Sequence, residues 1–161
     1  MTGERNLTIP ALAERSFNRY GDRKALGFVG EDILTYNDLK EHVYALMALL
    51  EKNSVSPGDK VAILSTSMPN WGVTYLAVTS MGAVAVPILP DFSADEISNV
   101  IQHSGARVLF VSASLAARMS SIPDNSLQLV ISTDNFEIVS GGNDHRFDLS
   151  SRPEKRNEVI E

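Results

Sequence analysis

Residues 58–90 read GDKVAILSTSMPNWGVTYLAVTSMGAVAVPILP: an apolar run, a short polar turn, a helical pattern, then a second apolar run closed by prolines. That succession is how a buried βαβ unit reads, one strand, a crossover helix and a parallel neighbour. Parallel strands need cover on both faces, because each crossover lays a helix over the sheet. The stretch therefore restricts the chain to an α/β architecture.

The rest of the sequence extends the pattern. Ser56-Pro57-Gly58-Asp59 is a turn signal, and 60–64 is expected as a strand buried on both faces. Pro69 fits the first turn of a helix running to about Gly82, because its missing N–H has no intrahelical partner there. That helix is apolar on most sides (Trp71, Val73, Tyr75, Leu76, Ala77, Val78, Met81), which suits a helix packed inside a larger body. A strand is expected at 83–88. Ser93-Ala94-Asp95-Glu96 is a capping box, opening a helix that turns Ile97, Val100 and Ile101 inward and ends near Gly105. Further strands are expected at 107–111 and 127–131, with a short helix at 112–119 between them. One more short strand fits 136–139. Strand and helix in alternation imply a mostly parallel sheet with helices on both faces.

Ahead of this lie two helices and a hairpin. Thr8 is placed to cap a helix whose Ile9, Leu12, Ala13, Phe17 and Tyr20 share a face, with Gly21 suited to a left-handed stop. Residues 25–29 and 32–34 read as two short strands joined at Gly30-Glu31. Thr35 then caps a second helix with Asp38 in its positive first turn. Tyr36, Leu39, Val43, Leu46, Met47 and Leu50 make its buried stripe.

Composition excludes several functions. The chain has 161 residues, no cysteine and a formal net charge of −6. Without cysteine there is no disulfide framework, thiolate catalysis or cysteine zinc site. The same absence fits a reducing cytoplasm. A net-acidic chain argues against nucleic acid as a partner. MTGERNLTIP is too polar for a secretory signal, and no run of about twenty apolar residues spans a bilayer. Peripheral membrane contact stays open. No internal repeat or low-complexity tract appears.

The residues that invite a chemical role read more simply as structure. Ser65, Thr66 and Ser67 follow a strand and precede a helix, where α/β proteins often bind ligands. No glycine allows close backbone approach there and no lysine follows, so turn and capping roles are preferred. Trp71 is expected as a core anchor at the start of its helix. His42, His103 and His145 have no partner at metal-ligand spacing. Glu96 is explained by capping and Asp91 by a loop. Met47, Met68, Met81 and Met119 are gap-filling or turn material. No catalytic, cofactor-binding or metal-binding residue is assigned.

Four segments together carry a family resemblance. LTYNDL (34–39), GDKVAILSTSMPNW, MGAVAVPILP and SADEISNVIQHSGARVLFVS stand in order, within 8–133. In that arrangement they resemble the opening region of the adenylate-forming (AMP-binding) enzymes, the acyl-CoA synthetase and luciferase superfamily. The run MPNWGVTYLAVTSMGAVAVPILPDFS looks most like bacterial long-chain fatty acid–CoA ligases. Thr66, Ser67 and Asn70 stand where many relatives carry Glu, Asn and Glu.

The resemblance implies an enzyme that uses ATP and magnesium to make an acyl-adenylate from a fatty acid, then passes the acyl group to coenzyme A. The family's Ser/Thr/Gly-rich phosphate loop with its lysine, its nucleotide-pocket aromatic, its ribose-binding acid and its catalytic lysine match no segment here. Residues 1–133 are therefore expected to form an N-terminal subdomain, with 134–161 a partly ordered linker toward the phosphate loop. On this reading the 161 residues alone are inactive. They are also expected to be cytoplasmic, with membrane association open, and to form a homo-oligomer through apolar surface left exposed. Two other readings stay open: a free-standing α/β module binding an acyl chain or a protein, and an adenylating enzyme that loads a carrier protein.

Overall fold

A computed structural model describes residues 7–123 and 126–142. In chain order the elements are α1 Ile9–Tyr20, β1 Lys24–Leu26, β2 Leu34–Thr35, α2 Tyr36–Lys52, β3 Lys60–Leu64, α3 Pro69–Ser80, β4 Val84–Ile88, α4 Ala94–Ser104 and β5 Val108–Val111. A 3-10 helix, Ala113–Ser121, then precedes β6 Leu129–Ser132 and β7 Ile138–Gly141. Four strands lie parallel in the order β4-β3-β5-β6, and β7 closes one edge antiparallel to β6. β1 and β2 form a separate antiparallel hairpin.

Alternation along the strands sorts the core into two layers, because successive strand side chains point to opposite faces. Val61, Ile63, Val108, Phe110, Leu129 and Ile131 join the buried residues of α1, α2 and α3 on one side of the sheet. Ala62, Leu64, Leu109, Val111 and Val130 join Ile97 and Ile101 of α4 and Leu115 of the 3-10 helix on the other. Helices thus cover both faces, as the sequence leads one to expect.

Local chemistry sets the ends of the helices. Thr8 accepts from the Ala11 amide at the start of α1. Thr35 with Asp38, and Ser93 with Glu96, form reciprocal capping boxes. The Thr35 hydroxyl and then its amide hold the Asp38 carboxyl below the usual carboxylate range. The Ser93 amide and then its hydroxyl do the same for Glu96. Gly105, at φ 68°, closes α4.

Several expectations need correction. Gly21 sits at φ −32°, ψ −54°, in the right-handed region. Its smallness serves a close approach instead: an added Cβ would lie 2.7 Å from the Asn37 side-chain oxygen. Ile9 and Leu12, placed on the inner face, are 40% and 55% exposed, and only Ala13 and Phe17 of α1 are buried. The hairpin strands are shorter than the apolar run suggests, since Phe28 and Val29 project into solvent. The segment after β5 winds as a 3-10 helix. The strand read at 136–139 begins two residues later, because Phe136 belongs to the turn before it.

Candidate functional site

The sheet order places one functionally suggestive position. The chain leaves β3 through α3 on one face to reach β4, then crosses back through α4 on the other face to reach β5. β3 and β5 are neighbours, so the chain departs in opposite directions at their carboxyl ends. In open α/β sheets such a switch point opens the crevice where ligands bind. Here it is edged by Ser65-Thr66-Ser67 after β3, Ser112 after β5, and Thr133-Asp134 after β6.

The polar groups at this crest are largely turned on one another. The Ser65 hydroxyl donates to the Thr66 carbonyl at 3.1 Å. The Ser112 amide donates to the Leu64 carbonyl at 3.1 Å, and its hydroxyl lies 3.2 Å from that of Ser114. Asp134 accepts from the Ala113 amide at 2.7 Å, so a carboxylate of the chain itself occupies the start of the 3-10 helix. The Asn70 side chain donates to the carbonyls of Thr133 and Asp134 at 2.8 and 3.0 Å. One bracket therefore fastens the first turn of α3 to the ends of β5 and β6. On the other side of β3, Arg118 donates to the carbonyls of Pro90 and Phe92, the latter at 2.9 Å, and holds the loop after β4.

Thr133 is the exception. Its hydroxyl is buried with no hydrogen-bond partner among the described residues. An unsatisfied buried hydroxyl costs ~1–3 kcal/mol. Thr133→Val is therefore expected to raise stability by ~1 kcal/mol in a urea melt. A loss of that size would show that the hydroxyl is satisfied after all.

The structure sorts the residues singled out in the sequence. Ser65 is buried, whereas Thr66 and Ser67 are exposed at the switch point. None of them caps α3, whose N-cap is Met68 without a side-chain bond, so the capping role is corrected to a turn role. Trp71 is only half-buried, packed against the margin of the core and stacked on Tyr75 at 5.4 Å. The Nδ1 of His42 lies 2.7 Å from the Asp38 carbonyl, an acceptor only, so Nδ1 carries the proton. His103 is exposed in the last turn of α4, and His145 lies outside the described residues. Asp91 is exposed in the loop after β4. Met81 is buried, while Met47, Met68 and Met119 are half-buried. No group of three His, Asp or Glu able to hold a metal occurs among the described residues. None of their helices is long and apolar enough to cross a membrane.

Sequence reasoning noted Asn70 only as a departure from the family pattern and missed its bonds, along with Asp134 and Arg118. Their bonds reach carbonyls and amides 21 to 64 residues away, and nothing in local spacing signals them. Tyr44 was missed likewise: it donates to Glu14 and ties α2 to α1. Burial first, and then the Glu14 carboxylate, push its hydroxyl to a higher pKa.

Comparison with known proteins adds the family context. The family model for AMP-binding enzymes matches residues 13–158. A (7a-methyl-1,5-dioxo-octahydro-1H-inden-4-yl)propanoyl:CoA ligase of Mycobacterium tuberculosis is 36% identical over 104 residues, 64% of this chain and 20% of the ligase. Surfactin synthase subunit 2 of Bacillus subtilis is 31% identical over 132 residues, 82% of this chain and 4% of the synthase. The N-terminal subdomain of Klebsiella oxytoca NpsA, solved with 3-hydroxybenzoyl-AMSN, superposes with a TM-score of 0.68 at 30% identity, covering 80% of this chain and 31% of that one. A Mycobacterium tuberculosis fatty acyl CoA synthetase superposes at 0.73 with 22% identity, covering 79% and 26%, and speaks for the fold alone. The chain thus spans about a fifth of the ligase relative and far less of the synthase.

Proposed function

The chain belongs to the AMP-binding enzyme family, and from that membership we propose that it is the N-terminal scaffold of an ATP-dependent acyl-CoA ligase. The observation that carries this reading is the match over residues 13–158 to a family whose relatives are several-fold longer. We assign 1–133 to a subdomain of the nucleotide-binding body and 134–161 to the path toward its phosphate loop. The acid is a long-chain fatty acid, supported by the resemblance of MPNWGVTYLAVTSMGAVAVPILPDFS to bacterial ligases of that class. The acceptor is coenzyme A, supported by the CoA ligase relative. The setting is the cytoplasm.

ATP and magnesium belong to this reaction, but the described residues do not fit them. A phosphate cradle needs free backbone amides and a lysine, and a hard cation needs several oxygens. At the switch point the leading amide of the 3-10 helix is taken by Asp134, and no lysine lies in the 65–71 or 112–121 loops. The scaffold's own contribution is geometric: the Asn70 and Asp134 bracket fixes the strand ends against which the rest of the enzyme would pack.

The test is ATP–pyrophosphate exchange. The 161 residues alone are expected to give background exchange. The product of the complete reading frame is expected to exchange with long-chain fatty acids and then form a thioester with coenzyme A. Exchange by the 161 residues themselves would overturn the scaffold reading. A second reading, loading of an acid onto a carrier protein, is favoured by the similarity to surfactin synthase. A complete product that ignores coenzyme A and acylates a carrier protein would establish it.

A further inference from the structure

We propose that two copies of this chain dock reciprocally, the turn between β1 and β2 of each seated on the Arg19–Arg23 surface of the other. The turn is an apolar and acidic projection. Phe28, Val29 and Ile33 are exposed around Glu31 and Asp32, with Val29 open to solvent on every side. Its base is closed: a Cβ on Gly27 would lie 2.9 Å from the Ile33 Cα, and the Glu31 amide donates to the Phe28 carbonyl at 3.3 Å. Residues 28–32 are thus held in a short closed loop, which keeps the ordering cost of docking low. The tip is unobstructed, since nothing lies within 4 Å of a Cβ added at Gly30.

The complementary chemistry stands at the end of α1. Arg19 and Arg23 are exposed, and their guanidinium groups lie 5.4 and 5.2 Å from the centre of the Tyr20 ring. Two cations are therefore gathered over one aromatic side chain. Leu12, two turns before Arg19, adds exposed apolar surface on the same side of the helix. The acid between the arginines, Asp22, accepts from the Asn37 side chain at 3.1 Å. Among the described residues neither arginine meets a carboxylate, and neither Glu31 nor Asp32 meets a cation.

Charge complementarity selects a second copy as the occupant. Each chain carries one patch of unpaired acids ringed by apolar side chains and one of arginines with an apolar flank, and no bond joins the two within the chain. A partner of one sign would satisfy one patch and leave the other open. Reciprocal docking satisfies both, closes as a two-fold dimer and uses each contact twice. The doubling matters because a stable interface buries about 800 Å² per partner. A net charge of −6 opposes association in any other orientation, so the local pairing also sets the register. The homo-oligomer expected from the sequence is thereby assigned a surface. No residue of the switch-point crest takes part, so the proposal stands or falls apart from the acyl-ligase reading.

Sedimentation velocity on the chain tests it. A concentration-dependent dimer is expected, weakening as added salt screens the pairs. R19E/R23E and E31R/D32R are each expected to weaken self-association by about a hundredfold, because each sets like charges against one another. All four side chains are exposed, so neither reversal disturbs the core. An equimolar mixture of the two variants is expected to recover the dimer, since each then carries the charge the other lacks. A wild-type chain that stays monomeric at high concentration would overturn the proposal. So would a dimer that survives either reversal, or a mixture of the variants that stays monomeric.

Discussion

Phe110→Ala is expected to lower the unfolding free energy by about 3–5 kcal/mol, the usual range for emptying a buried aromatic site. The loss would appear as a lower urea midpoint at unchanged slope. Phe110 is fully buried on β5, between Ile63 of β3 and Ile131 of β6, in the middle of the parallel sheet. The neighbouring strands are fixed by their ladders, so the site is expected to relax only in part. Its ring also meets that of Phe136 edge-on, centroids 6.3 Å apart at 80°.

That second contact raises the stakes at Phe136. Phe136 adopts φ 60°, a left-handed conformation costing ~1–2 kcal/mol for a residue with a Cβ. It is held there with its side chain buried at 2% exposure and its amide bonded to the Ser132 carbonyl at 2.9 Å. Burial against Phe110 offsets the conformational cost. The double substitution F110A/F136A is therefore expected to cost less than the sum of the singles, by about 0.5–1.5 kcal/mol. A loss below ~1 kcal/mol for Phe110→Ala alone would mean that the core does not depend on this ring.

The same pair of residues marks where sequence reasoning reaches and where it stops. Phe110 is legible, because the run 108–111 is uniformly apolar and a strand buried on both faces reads that way. The two capping boxes are legible for a similar reason: the partners are three residues apart and the chemistry is local. Phe136 is apolar too, yet the positive φ falls on it and not on Asn135 beside it, the residue type that would normally signal one. The position of β7 follows from that turn, so its start was misread by two residues. At the switch point the sequence draws attention to Ser65, Thr66 and Ser67 because they are adjacent. The residues that fix the crest, Asn70 and Asp134, are 64 apart and meet only once the sheet has formed.

Gly141→Ala is expected to detach β7 from the sheet, at a cost of ~3 kcal/mol when the left-handed conformation and the displaced strand are taken together. Gly141 has φ 73°, and a Cβ built there would fall 1.9 Å from the Gln128 carbonyl oxygen and 2.8 Å from its carbon. Those are backbone atoms on the approach to β6, so relief requires the strands to separate. β7 is an edge strand with a register shift between Val130 and Ile131, which leaves few bonds to resist separation. Hydrogen exchange is expected to lose protection along β7 while the amides of β3 stay slow. Gly30→Ala supplies the control, since Gly30 has φ 88° but nothing within 4 Å of the added carbon. That variant carries the conformational cost alone, so equal losses in the two would remove the collision with Gln128 as the cause.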